Sequence, residues 1–162
     1  MLWGSVAPDL PLYLLSLGGF LYYPRVVGMS LGEAGELMYG QLFYTNPVWI
    51  TLHNFLHAPL VLMVGIRLAS LGTGYKRRWL RWFFLSCALH TGLDVVTHHN
   101  DGPLLLFPLN WSLRFSSPIS YWDPTYFGGI FTIFEFMLDA VLLSYWLLPH
   151  MQRWWRSRRN GP

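Results

Sequence analysis

Long apolar runs alternate with short polar punctuation along this chain, and the punctuation sets the elements. LYLLSLGGFLYYP follows the Pro8-Asp9-Leu10-Pro11 stretch and predicts a short apolar helix within residues 1–24, with Asp9 placed to cap it and Pro24 to end it. Residues 25–46 are more polar. There Glu33 and Glu36 stand against Leu31, Leu37, Met38 and Leu42, the spacing of a short amphipathic helix lying on a surface. Asn46-Pro47 opens a second apolar helix over 47–71, closed by Gly72-Thr73-Gly74. A third runs over 79–98 and a fourth over 127–148, ended by Pro149. These three reach the ~20 residues that a helix needs to cross a bilayer.

Residues 99–126, HNDGPLLLFPLNWSLRFSSPISYWDPTY, carry four prolines and no helical period. The stretch is too aromatic for disorder and predicts an ordered lid loop. The pattern as a whole predicts an all-α membrane protein, one domain over 1–162. It has about four transmembrane or re-entrant helices, the amphipathic connection, the lid and a basic tail over 149–162.

Composition supports the membrane class. The chain is 53% hydrophobic, 18% aromatic and 12% charged, with a mean hydropathy of +0.32. A very apolar soluble helical domain is the alternative, and the spanning length of the runs argues against it. The net charge is +3, and its placement says more than its sum. Lys76, Arg77, Arg78 and Arg81 sit between the second and third helices, and Arg153, Arg156, Arg158 and Arg159 follow the fourth. Both clusters read as cytoplasmic topology signals, with membrane lipids and not nucleic acid as the partner. Cys87 is the lone cysteine, so no disulfide framework is expected. The N-terminus has no basic n-region, and Pro8, Asp9 and Pro11 interrupt its apolar run, so no cleavable signal peptide is expected.

The chemistry lies in three pairs of ionisable residues, each spaced four apart in an apolar helix: His53 and His57, His90 and Asp94, Glu135 and Asp139. That spacing puts both members of a pair on one helix face. Imidazoles and carboxylates at such depth are costly without partners or a bound cation. With both basic clusters inside, the three pairs fall in overlapping layers ~6–18 Å below the outer face. They therefore predict a shared metal site, zinc or manganese being the ions that accept imidazole and carboxylate together. His53, His57, His90 and Asp94 suffice as ligands. Glu135 and Asp139 are surplus carboxylates, suited to a second metal or to a general base. His98, four residues beyond Asp94, is a further ligand or a substrate contact. Arg114 in the lid is placed to clamp an anionic substrate group. Asp9 reaches the site only if residues 10–24 are re-entrant or begin in the outer half; a full crossing puts it on the cytoplasmic side.

Three segments carry a family resemblance. GSVAPDLP, HNFLHAPLV and HTGLDVVTHHNDGPLLLFPLNWSLRFSSP resemble, in order and in helix placement, motifs of the LexA-regulated, membrane-bound, predicted metal-dependent hydrolases. The likeness covers residues 4–11, 53–61 and 90–118, and the third segment is the most specific. It implies a multi-pass inner-membrane protein with metal ligands at Asp9, His53, His57, His90 and Asp94, extended to His98. The spacing of His53 and His57 departs from the family's usual pair.

Two functions follow. One is a membrane-embedded metal-dependent hydrolase that turns activated water on an unknown, lipid-like substrate. The other is a non-catalytic accessory subunit of a larger respiratory or photosynthetic membrane complex, holding a structural metal or a pigment. Carboxylates among the histidines favour a hard or borderline metal over haem. A proton or ion pathway is a third use of such groups, and the absence of an internal repeat argues against a transporter.

Overall fold

The computed structural model describes residues 2–159, and within them every regular element is helical. The chain forms two compact units, Met1–Ser117 and Pro118–Pro162.

The first unit begins with a single helical turn and a half, α1 (Leu2–Val6), and a break at residues 7–9 that leads into α2 (Leu10–Tyr22). Pro11 sits in the first turn of α2, where its missing N–H costs nothing. Pro24 does not stop the chain, contrary to the sequence reading. The backbone widens into a π turn over Tyr23–Val27 and ends at Gly28, whose φ of 81° favours glycine.

The polar connection is also more broken than a single amphipathic helix. Ser30 and Glu33 form a reciprocal capping box at the start of α3 (Leu31–Gly35). A second π turn, Glu36–Leu42, then leads into α4 (Phe43–Thr45). Its apolar face packs inward: Ala34 and Met38 form a buried cluster with Trp49, flanked by Leu12, Leu15, Phe20, Tyr23 and Leu42, while Glu33 and Glu36 are exposed.

The helix expected over 47–71 is two helices, α5 (Pro47–Asn54) and α6 (Pro59–Ser70), bent by 46°. Pro59 is the cause. It has no N–H to continue the ladder, and it pushes Ala58 to an extended backbone (φ −72°, ψ 121°). Asn46 caps α5 by accepting hydrogen bonds from the N–H groups of Val48 and Trp49. α7 (Tyr75–Thr97) starts four residues before the expected boundary and packs against α6 and α1. The contact with α1 is close: a Cβ on Gly4 would lie 2.5 Å from the Phe83 carbonyl oxygen and 2.6 Å from Ser86 Cβ. Trp3 and Gly4 lie beside the first half of α7 and Asp9 beside its second half, so the two run parallel.

The expected lid is ordered up to the end of this unit. Leu104 and Phe107 are buried with Ile50 and Ala58. The buried Asn54 side chain accepts the Leu104 N–H at 2.7 Å and donates to the Ile50 carbonyl at 2.8 Å, tying the loop to the break between α5 and α6.

The second unit holds a 3₁₀ turn, Pro124–Tyr126, and one long helix, α8 (Gly128–Arg159). α8 continues through Pro149 rather than ending there. The side chains of Arg153, Trp154, Arg156, Arg158 and Arg159, the core of the expected basic tail, lie outside the described residues.

Among the described residues one helix, Gly128–Gln152, is long and apolar enough to cross a membrane, and α5 with α6 passes as a second if the bent pair counts as one span. Four spans are therefore more than the helices support. α2, with 13 residues, is short of the ~20 required. Four of the first seven residues of α7 are the basic residues Lys76, Arg77, Arg78 and Arg81.

Candidate metal centre

Three breaks and helices converge on one point of the first unit. Asp9 comes from the break between α1 and α2, His57 from the break between α5 and α6, and His90 and Asp94 from one face of α7. The His57 and His90 Nε2 atoms face each other at 3.2 Å. Asp9 spans the pair, with Oδ1 3.2 Å from His57 Nε2 and Oδ2 3.5 Å from His90 Nε2. Asp94 Oδ2 lies 3.4 Å from His57 Nε2 and 3.1 Å from His90 Nε2. Asp9, His57 and His90 are thus close enough to hold a metal ion together.

The break in the helix fixes which nitrogen of His57 faces the site. In an unbroken helix the His57 backbone N–H would donate to the His53 carbonyl. Here it turns to the Asn54 carbonyl at 3.2 Å, and His57 Nδ1 occupies the His53 carbonyl oxygen at 2.7 Å. A carbonyl oxygen only accepts, so Nδ1 carries the proton and the Nε2 lone pair of the neutral ring points into the site. Orientation of a ligating imidazole through its second nitrogen is how proteins prepare metal sites.

The donor spacing fits one small cation. Zinc with bonds of ~2.0–2.1 Å to nitrogen and oxygen places neighbouring tetrahedral ligands about 3.3 Å apart. Among Asp9, His57 and His90, whose donors lie close enough together for one ion, the separations are 3.2, 3.2 and 3.5 Å, a different Asp9 oxygen facing each imidazole. The His57 side chain is 1% exposed and that of Asp9 32%, so the group is reached from the Asp9 side.

The other expected site residues sit elsewhere. His53 is buried, stacked on the His57 ring at 4.5 Å between centroids and on Phe43 at 4.8 Å. Neither of its ring nitrogens has a hydrogen-bond partner, and its contribution to the group is its carbonyl. His98 turns Nδ1 to the Asp94 carbonyl at 3.0 Å and lies outside the three-residue group. Arg114 donates to the Gly102 carbonyl and lays its guanidinium over Phe43 and Tyr44, 5.4 and 5.6 Å from the ring centroids, so it braces its own loop. Glu135, half-buried, and Asp139, exposed, lie on α8 in the second unit, and neither makes a hydrogen bond or ion pair among the described residues.

Two contributors escaped the sequence reading. Pro59 announced the break but was read as the interior of a longer helix. Asn54, which seats the loop, resembles any polar residue on a helix and gave no signal. No family model, curated protein or solved structure matches this chain.

Proposed function

We propose that this protein is a membrane-embedded, metal-dependent hydrolase with its metal held by Asp9, His57, His90 and Asp94. The observation that carries the reading is the pair of Nε2 atoms facing each other at 3.2 Å between two carboxylates. Two such nitrogens repel unless a proton or a cation lies between them, and two carboxylates favour the cation. Two imidazoles with two carboxylates suit zinc or manganese. Such an ion supplies water acidified to near neutrality. The chain's own residues do the rest. The His53 carbonyl orients His57, Asp94 steadies both imidazoles, and Asp9, the most exposed of the four, stands where a substrate would enter and a proton would leave. The apolar helices around the group favour an amphipathic, lipid-like substrate.

The basic residues of the α6–α7 turn favour a cytoplasmic position for that end, in an inner membrane. α8 supports a second reading, a subunit of a larger membrane complex, because none of its most apolar stretch is buried by the chain itself.

Elemental analysis of detergent-purified protein beside His57→Ala and His90→Ala separates the readings. Stoichiometric zinc or manganese, lost in both variants, with turnover of phospholipid or ester probes by wild type, is the expected result. A folded wild type without metal overturns the hydrolase. Metal without turnover moves the assignment to the accessory subunit.

A further inference from the structure

At the opposite end of α7 from the metal group, α1 and α7 enclose a cleft of ≈260 Å³ walled by Trp3, Tyr75, Trp79, Trp82 and Phe83, with Arg78 at its edge. A second, more open cleft lies beside it, lined by Tyr75, Lys76, Trp79 and Leu80. Tyr75 and Trp79 therefore form a ridge with an apolar hollow on either side and a cation beside each, Arg78 and Lys76.

Aromatic and basic residues at a helix end ordinarily mark only the membrane boundary, the aromatic ones standing on the outer surface of a single helix. Here the aromatic rings wall a concave space between two helices. The space persists because Gly4 brings α1 onto Phe83 and Ser86 while Trp3 reaches out beside Tyr75 and Trp79. Its volume is below the ~300–1,000 Å³ of pockets that enclose a whole drug-sized ligand, which suits a segment of hydrocarbon chain.

The charge has a single sign. Between Glu36 and Asp94 the chain contains no carboxylate side chain, and no ion pair neutralises Lys76, Arg78 or Arg81 among the described residues. Arg77 differs, since it donates to the Leu68 carbonyl at 2.9 Å and closes the end of α6. Lys76 and Arg78 are exposed at the lip of the two hollows.

We propose that this end of α7 is a binding site for one anionic diacyl phospholipid. The two acyl chains straddle the Tyr75–Trp79 ridge, and the phosphate sits on Lys76 and Arg78. His90 lies twelve residues further along α7 than Arg78, or ~18 Å of helix rise, so this lipid is a resident ligand and not the occupant of the metal group. The site rests on the membrane placement proposed above and is independent of the metal chemistry.

The test is native mass spectrometry of detergent-solubilised protein offered equal amounts of phosphatidylglycerol and phosphatidylcholine. The wild type is expected to retain one phosphatidylglycerol in clear preference. The Lys76→Gln, Arg78→Gln double variant should lose that preference by about thirtyfold, as expected for two basic side chains at an anionic headgroup. Trp3→Ala should shorten retention of either lipid while leaving the preference. Metal content, measured on the same samples, should not change in any variant, which separates this outcome from failure of the metal centre. Equal retention of the two lipids by wild type, retention of neither, or an unchanged preference in the double variant would overturn the proposal.

Discussion

α7 and α8 carry the same signature, two ionisable residues four apart in an apolar helix, and they end in different circumstances. His90 and Asp94 on α7 meet Asp9 and His57 at 3.2–3.5 Å. Glu135 and Asp139 on α8 have neither a hydrogen bond nor an ion pair among the described residues. Spacing along one helix thus defines a face and nothing more. What turns the α7 face into a site is the pair of non-helical breaks that deliver Asp9 and His57 to it. The difference therefore lies in backbone irregularity elsewhere in the chain, and the two helices themselves hardly record it.

The sharpest way to break this comparison is to remove a ligand delivered by a break. His57→Ala should weaken metal retention by more than about 100-fold, since altering outer partners of a ligand alone costs ~10–100-fold; metal content after chelator challenge measures it. Asn54→Ala keeps every ligand but leaves the buried Leu104 N–H without its acceptor. It should cost about 2 kcal/mol, read as a lower thermal midpoint in detergent. Gly4→Ala tests whether the seating of α1 matters to Asp9. The added methyl meets a backbone oxygen and should cost ~1–3 kcal/mol, with metal retention falling alongside.

A smaller effect belongs to the capping box. The Ser30 backbone N–H, and then its side chain, hold the Glu33 carboxyl below its ordinary value of 4.5. A lowered folded value means the contribution is present above that pH and is lost as the pH falls through the folded value. Wild type and Glu33→Gln should differ slightly in unfolding midpoint at neutral pH and converge in acid. Smallest of all, Glu135→Gln with Asp139→Asn should leave metal content unchanged. Loss of metal there would erase the distinction between α7 and α8.

The legible part of this molecule is the part written in periodicity and charge. The helical class, α7 to within a few residues, and the roles of His57, His90 and Asp94 as neighbours all follow from apolar runs and the cost of burying ionisable groups. Asp9 was half legible: its place depended on whether residues 10–24 crossed the bilayer, and the break before α2 sets it beside His57 and His90. The π turns at Tyr23–Val27 and Glu36–Leu42 were not legible, because widening a helix by one residue leaves no mark in composition. The ring of His53 was assigned to the metal by its spacing from His57. That spacing assumed an unbroken helix, and the bend at Ala58–Pro59 removes the assumption.

The bend also has a historical consequence. The contact that prepares His57 comes from the main chain of residue 53, which any amino acid there would supply, and that carbonyl is free because the His57 N–H turns to Asn54 in the break that Pro59 closes. An ancestor with a straight helix would have spent the same carbonyl on the backbone ladder, and a histidine at 57 would have arrived unoriented. Pro59 and His57 therefore make sense only together, and mutating one should change what the other is worth.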